Sequence, residues 1–255
     1  MSCKSSLLAA AVAIVLPMAP AFAASIAVSE YNPGVFDLVD NSITATGENF
    51  ETLGSTLGEG EVGSNFSTAV GTFNTLGGTG TGGTVSGLPG NTGTELALRD
   101  GNTYGRYNTQ PLDGDWYLDS NDTYGIDWDV STGSTFNTVV FTLVDGSDTG
   151  AFLRITSEGD TFEQRVGGKL SNGNASIVVV SFDTLVTDAV IEIGNYNSSG
   201  TSLRTNDGFA IDGLRVGTDN RLVQDPPAPV PLPASGLLLI GALAATGWRA
   251  RKRQG

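Results

Sequence analysis

The sequence predicts an all-β protein, an antiparallel two-sheet sandwich of jelly-roll type, with an N-terminal signal helix and one C-terminal transmembrane helix. Three observations lead to this prediction. Short runs that alternate in polarity or are rich in β-branched residues recur throughout residues 24–217. Turn-forming clusters separate these runs, and Asn172-Gly173 is typical of a hairpin turn. Between the two ends, no window of helical length shows a 3.6-residue apolar period.

The runs that we expect to form strands share a length of five to ten residues and a turn signal on at least one side. They are Ser25–Glu30, Ser42–Thr46, Thr94–Leu98, Thr123–Val130, Thr135–Val144, Ala151–Ser157, Thr161–Val166, Ala175–Phe182, Asp188–Ile193 and Gly208–Val216. In Thr123–Val130 the alternation places Tyr124, Ile126, Trp128 and Val130 on one face, which is expected to be the core face. Residues 54–93 are rich in glycine, threonine and serine and predict a loop or weakly paired edge strands.

Composition excludes several chemistries. The 255 residues include no histidine and one cysteine, so Ser-His-Asp catalysis and histidine-ligated or Cys₄ metal sites are ruled out. A net charge of −14 argues against a nucleic-acid partner, because binding to phosphates needs a surplus of lysine and arginine. No motif singles out a catalytic pair among the 27 acidic residues, so we expect neither an enzyme nor a cofactor.

The N-terminus has the features of a secretory signal peptide over residues 1–23. Lys4 precedes a ten-residue apolar run, Leu7 to Leu16, and Ala21 and Ala23 supply the small residues that precede a cut after Ala23. The only cysteine, Cys3, would be removed with this segment.

The C-terminus carries a second apolar segment, residues 234–248, followed by the basic residues Arg249, Arg251, Lys252 and Arg253. Counted from Val230, this segment would rise about 28 Å as a helix, close to the roughly 30 Å thickness of a bilayer core. The basic cluster is expected to stay in the cytoplasm, which leaves the rest of the chain outside. The five prolines of residues 226–233 predict a stiff, extended segment ahead of the helix, and residues 218–229 form the linker.

Residues 230–255 resemble a known sorting signal. Val230, Pro231, Leu232, Pro233 and Ala234 are followed by the apolar helix and the arginine cluster, and this order is similar to the PEP-CTERM signal in its VPLPA variant. Leu232 occupies the place of the glutamate for which the family is named. The resemblance implies an exosortase-type membrane protease as partner, an inner-membrane precursor facing the periplasm, and final placement at the surface or in the matrix of a Gram-negative bacterium that makes extracellular polysaccharide.

Two sets of residues in the body suggest ligands. Trp116 and Tyr117 lie among acidic residues, a composition found in carbohydrate sites, whereas the alternation around Tyr124 and Trp128 is that of an ordinary half-buried strand. The segment Asn206 to Val216 resembles the last strand of jelly-roll carbohydrate-binding and MAM-like modules, and Phe50-Glu51 matches a pair on their opening strand. That resemblance implies a structural calcium between Glu51 and Asp212, which needs further oxygen ligands; otherwise Glu51 is solvated and Asp212 caps a turn.

The sequence therefore predicts an exported, non-enzymatic surface protein, with a calcium-assisted carbohydrate-binding module as the alternative. Without both ends the body keeps eight basic residues and all 27 acids, a net charge of about −19. A glycan-active enzyme is the third hypothesis, although paired carboxylates at catalytic spacing arise by chance in so acidic a chain.

Overall fold

The chain folds mainly into β-strands that pair in antiparallel sheets, as the sequence predicts. The computed structural model describes residues 24–77, 94–109, 114–121, 123–146, 152–157, 160–165, 173–197, 199, 201–203 and 208–219. Within these ranges no helix is both long and apolar enough to cross a membrane. The signal peptide, residues 78–93 of the glycine-rich region and the sorting signal lie outside the described residues.

The described residues contain sixteen strands and two short helices. Their bounds, in chain order, are β1 Ala24–Glu30, α1 Pro33–Asp40, β2 Ile43–Glu48, α2 Glu51–Leu57, β3 Gly60–Glu61, β4 Phe66–Thr68, β5 Gly71–Thr75, β6 Ala97–Asp100, β7 Asn102–Thr103, β8 Arg106–Tyr107, β9 Trp116–Asp119, β10 Gly125–Val130, β11 Phe136–Val144, β12 Phe152–Ser157, β13 Asp160–Arg165, β14 Ala175–Val186, β15 Ala189–Tyr196 and β16 Ala210–Asp219.

These strands form two large sheets and one hairpin. The eight-stranded sheet has the order β1-β14-β11-β16-β9-β6-β3, with β2 pairing the second half of β16 beside β9. The six-stranded sheet has the order β13-β12-β15-β10-β5-β4, and β7 pairs with β8. From β9 to β12 and again from β13 to β16, each connection crosses from one sheet to the other. Most pairings therefore join strands that are distant in sequence.

An aromatic stack joins the two sheets in the core. Trp128 of β10 stacks on Phe73 of β5 at 5.1 Å between ring centroids and meets Phe141 of β11 edge-on at 6.0 Å. All three rings are fully buried, and the indole N–H of Trp128 donates to the carbonyl of Val70 at 3.1 Å. The predicted core face of β10 is confirmed, because Ile126, Trp128 and Val130 are buried while Asp129 on the other face is exposed.

Helix α1 crosses the outer face of the eight-stranded sheet. The Asn32 side chain accepts hydrogen bonds from the backbone N–H groups of Gly34 and Val35, and Pro33 takes the first helical position. Phe36 is the buried anchor and packs against Val140 and Ile177. At eight residues the helix is too short to show a clear apolar period, which is why the sequence did not predict it.

The glycine-rich region is predicted as a loop or weakly paired edge strands; β3 and β4 do lie at sheet edges, whereas β5 does not. Residues 54–77 contain the end of α2 and strands β3 to β5, and β5 is an interior strand that pairs with both β10 and β4. Phe73 at its centre is fully buried. The composition of the region obscured a strand with a single large apolar residue, since threonine and glycine occupy the positions around it.

Replacing Phe73 by alanine should lower the free energy of unfolding by about 3–5 kcal/mol, because a buried ring is lost from the stack. Phe73→Leu should cost less, and Thr72→Ala, on the outer face of the same strand, should change stability by no more than about 0.5 kcal/mol. Urea unfolding of the three variants measures the difference. Equal effects of Phe73→Ala and Thr72→Ala would show that β5 is not part of the core.

Candidate functional site

The outer face of the eight-stranded sheet carries a buried polar cluster beneath the segment that holds β7 and β8. Its members are buried side chains from β6, β8, β9, β11, β16 and the adjoining loops: Arg99, Arg106, Thr109, Asp119, Asn121, Thr142 and Asp212. A sheet face normally buries apolar residues, so this set needs internal partners for its charges.

One half of the cluster is built on Asp119, which lies between two buried arginines. Its Oδ1 accepts hydrogen bonds from Arg106 Nη1 at 3.0 Å and from the backbone N–H of Asn121 at 2.7 Å. Arg99 Nε lies 3.8 Å from the other carboxylate oxygen, and Arg99 Nη2 donates to the Asn121 side chain at 3.1 Å. Tyr117 donates its hydroxyl to the Arg106 carbonyl at 3.1 Å. These bonds fix the β7–β8 segment against β9.

The other half of the cluster is built on Asp212 of β16. Its Oδ1 accepts from the N–H of Gly213 at 2.7 Å, and its Oδ2 accepts from the N–H of Thr109 at 3.1 Å. Thr142 donates its hydroxyl to the Asp212 carbonyl at 2.9 Å and lies 2.6 Å from the Thr109 hydroxyl. Gly213 has a φ of +62°, and the register between β11 and β16 shifts at this point, so glycine permits the bulge that follows Asp212.

Asp212 is fully buried, and its protonation differs from that of an ordinary carboxyl group. Burial, with a smaller contribution from the charge of Glu51, raises its pKa to about 7 against the lowering effect of the bonds from Gly213 and Thr109. Tyr31 lies within electrostatic reach, and burial followed by the charge of Asp212 raises the pKa of Tyr31 to about 12. Asp212 therefore prefers its neutral form up to nearly neutral pH.

The two residues of the predicted calcium site, Glu51 and Asp212, are both hydrogen-bonded to backbone groups and lie within electrostatic range of each other. Glu51 accepts a hydrogen bond from the backbone N–H of Trp116 at 2.9 Å, and both oxygens of Asp212 are engaged by backbone N–H groups. Within the described ranges, no group of three or more acidic, histidine or cysteine side chains could hold a metal ion. A structural calcium between Glu51 and Asp212 stays a prediction.

The predicted sugar-binding aromatic residues are buried or half-buried. Tyr117 is fully buried beneath the β7–β8 segment, so its ring offers no face to a ligand. Trp116 is half-buried and covers Gly54 of α2 so closely that a side chain at Gly54 would overlap its ring. Both side chains pack against neighbouring elements of the fold.

A second polar region lies on the outer face of the six-stranded sheet. Strand register aligns Thr156, Glu192, Asp127 and Asn74 in one row across β12, β15, β10 and β5. Thr156 donates to Glu192 at 2.9 Å, and Asn74 accepts from the N–H of Asn65 at 2.8 Å. These side chains are half-buried, in contrast to the closed cluster on the other sheet.

Two acidic side chains of this row lie next to each other, and their negative charges repel. Asp127 and Glu192 are directly opposed on neighbouring strands, an arrangement that is unfavourable for two carboxylates. Burial first, then the charges of Asp129 and Glu192, raise the pKa of Asp127. Beside the row, the Arg154 guanidinium stacks on the Tyr196 ring at 4.1 Å. The sequence did not identify this row, because only strand register brings its members together.

The remaining predicted sites cannot be placed in the fold. Ala21 and Ala23, the motif from Val230 to Ala234 and the basic residues from Arg249 to Arg253 all lie outside the described residues. No protein-family model matches the chain, and a search of curated proteins found no match.

Asp212 should make stability depend on pH. Its folded pKa of about 7 exceeds the unfolded value of roughly 4, so its contribution is fully present below pH 4 and is lost as pH rises to about 7, by on the order of 4 kcal/mol. Asp212→Asn removes this titration. The unfolding free energy of the native chain minus that of this variant should therefore fall between pH 4.5 and 8, because only the native chain loses stability as pH rises. Urea unfolding at each pH measures both values. A difference that stays constant with pH would contradict the assignment.

Proposed function

We propose that this chain is an exported surface or extracellular-matrix protein of a Gram-negative bacterium, with no catalysis of its own. In this proposal an exosortase-type membrane protease sorts the chain and processes it at its C-terminus. The observation that carries the proposal is the order of four features in one sequence, namely a signal peptide, the motif from Val230 to Ala234, an apolar segment and a basic tail.

The fold supports this proposal in two ways. The body is an all-β, sandwich-like domain, and the crossing of its chain between two antiparallel sheets is typical of a jelly-roll topology. It reaches this fold without a disulfide, since Cys3 precedes the predicted cut and the remaining chain has no cysteine. The aromatic stack and the buried polar cluster replace such cross-links as the source of rigidity.

Removing residues 230–255 should release the protein from the membrane and abolish C-terminal processing, because the apolar helix and the motif are both lost. The double variant Pro231→Ala/Pro233→Ala should stay in the membrane at its unprocessed mass. The matched control Pro226→Ala/Pro227→Ala changes two linker prolines outside the motif and should be processed normally. Intact mass in membrane, cell and medium fractions of an exosortase-bearing host measures all three, and unchanged fractionation of the deletion would reject the proposal.

Carbohydrate binding is a second candidate, and the row on the six-stranded sheet is what favours it. Hydroxyl, amide and carboxylate groups on four neighbouring strands, beside the Arg154–Tyr196 stack, offer the hydrogen-bonding groups and the ring face that sugars use. In this second candidate function, the residues that contact the sugar are Asn74, Asp127 and Glu192, and not Trp116 and Tyr117.

Calorimetric titration with the neutral polysaccharide of the producing matrix tests this second candidate. The native chain should give saturable heat, and Asn74→Ala combined with Asp127→Asn should lower the affinity at least tenfold, about 1.4 kcal/mol. Ser67→Ala changes an exposed residue of the same sheet outside the row and should leave binding intact. The absence of saturable heat from the native chain would exclude this candidate.

A further inference from the structure

Strand register places the beginning and the end of the body at the same end of the eight-stranded sheet. Ser25 of β1 pairs with Ser181, Ser181 with Thr138, and Thr138 with Gly217 of β16, so one row of the sheet joins the first strand to the last. Ala24 lies one residue beyond this row and Asp219 two residues beyond it, both in the same direction. We call this end, with the turns 131–135 and 187–188, the exit end.

Ala24 and Asp219 are both held in place by the sheet. Ala24 is buried with 3% of its surface exposed and pairs with Phe182. Asp219 donates its N–H to the side-chain oxygen of Asn137 at 2.8 Å and accepts from the Asn137 amide at 3.2 Å. Three strand spacings, about 14 Å, separate β1 from β16. The points at which the chain enters and leaves the body are therefore fixed, close together and on one side.

We propose that the exit end of the folded body faces the lipid bilayer while the chain is held in the membrane, and that the opposite end, marked by Val144, Ala175 and Ala210, faces away from it. This inference rests on the proposed function, because it takes the segments before Ala24 and after Ala234 to be the two that engage the membrane. Since both leave from the exit end, the body has the same orientation whether it is held by its signal peptide or by its C-terminal helix.

Charge at the exit end opposes adhesion of the body to the bilayer, so the two membrane segments alone hold this end toward the lipid. The exposed charged side chains that the structure describes there, Asp129, Asp183 and Asp188, are carboxylates, which anionic lipids repel. Arg215 is engaged by Asp40 at 2.8 Å. The distance to the membrane is then set by residues 220–233, which span at most about 43 Å as an extended proline-rich segment.

Energy transfer to a labelled bilayer tests the orientation. In the full chain, Cys3 is first replaced by serine so that a single introduced cysteine can carry the donor dye. One variant carries the dye at Ser134→Cys on the exit end, and the other at Ser199→Cys in the connection at the opposite end. Both positions are exposed. The chains are reconstituted in vesicles of zwitterionic and anionic lipid with acceptor dye on the headgroups. Strand β11 alone spans about 30 Å between the two ends, so transfer from position 134 should exceed that from position 199 at least about twofold.

The outcomes separate this inference from the function on which it rests. Equal transfer from the two positions, or more from position 199, in chains that float with the vesicles would overturn the orientation alone. Chains that do not float with the vesicles would overturn the proposed function and the orientation together. A matched pair of labelled chains limited to residues 24–219, which lack both membrane segments, should show no transfer, and transfer from either would mean that the body itself adheres to lipid, against the inference.

Discussion

The position of β16 at the centre of the eight-stranded sheet is the constraint on which the rest of the structure depends. This last described strand pairs with β11 on one side and with both β9 and β2 on the other. Its residues contribute Ile211, Leu214 and Val216 to the core between the sheets and Asp212 to the polar cluster on the outer face. The sheet therefore cannot be completed until residues up to Asp219 are available, and long-range pairing of this kind makes folding slow.

The buried polar cluster fixes the position of the segment that packs on the outer face of this sheet. Apolar packing is non-directional, whereas the bonds to Asp119 and Asp212 fix both the β7–β8 segment and Thr109 at particular distances from the sheet. Loss of the Asp119 carboxylate would leave two buried arginines without their negative partner, which would lower the free energy of unfolding. The cluster thus determines where the segment after β6 lies, while the aromatic stack determines how the two sheets meet.

Most of the fold could be predicted from residue patterns, because period-two alternation is a local signal. The β10 pattern identified Trp128 as a core residue, and the predicted strands that the structure describes lie within a few residues of their observed bounds. Helix α1 was missed because eight residues cannot show a 3.6 period, and β5 because glycine and threonine surround Phe73. The polar row was missed for a different reason: Asp127 and Glu192 are 65 positions apart, and only register brings them together.

Completion of the sheet by β16 also bears on the order of export and folding in the proposed function. Translocation delivers the chain from its N-terminus, so β1 to β15 would leave the membrane with the central position of the sheet unfilled. Asp219 lies fifteen residues before Ala234, the first residue of the predicted membrane helix. When that helix stops in the bilayer, the linker is long enough for β16 to have cleared the membrane and to insert between β11 and β9. The spacer ahead of the sorting motif then serves folding as well as access for the protease, because a shorter one would hold the last strand away from the sheet that it completes.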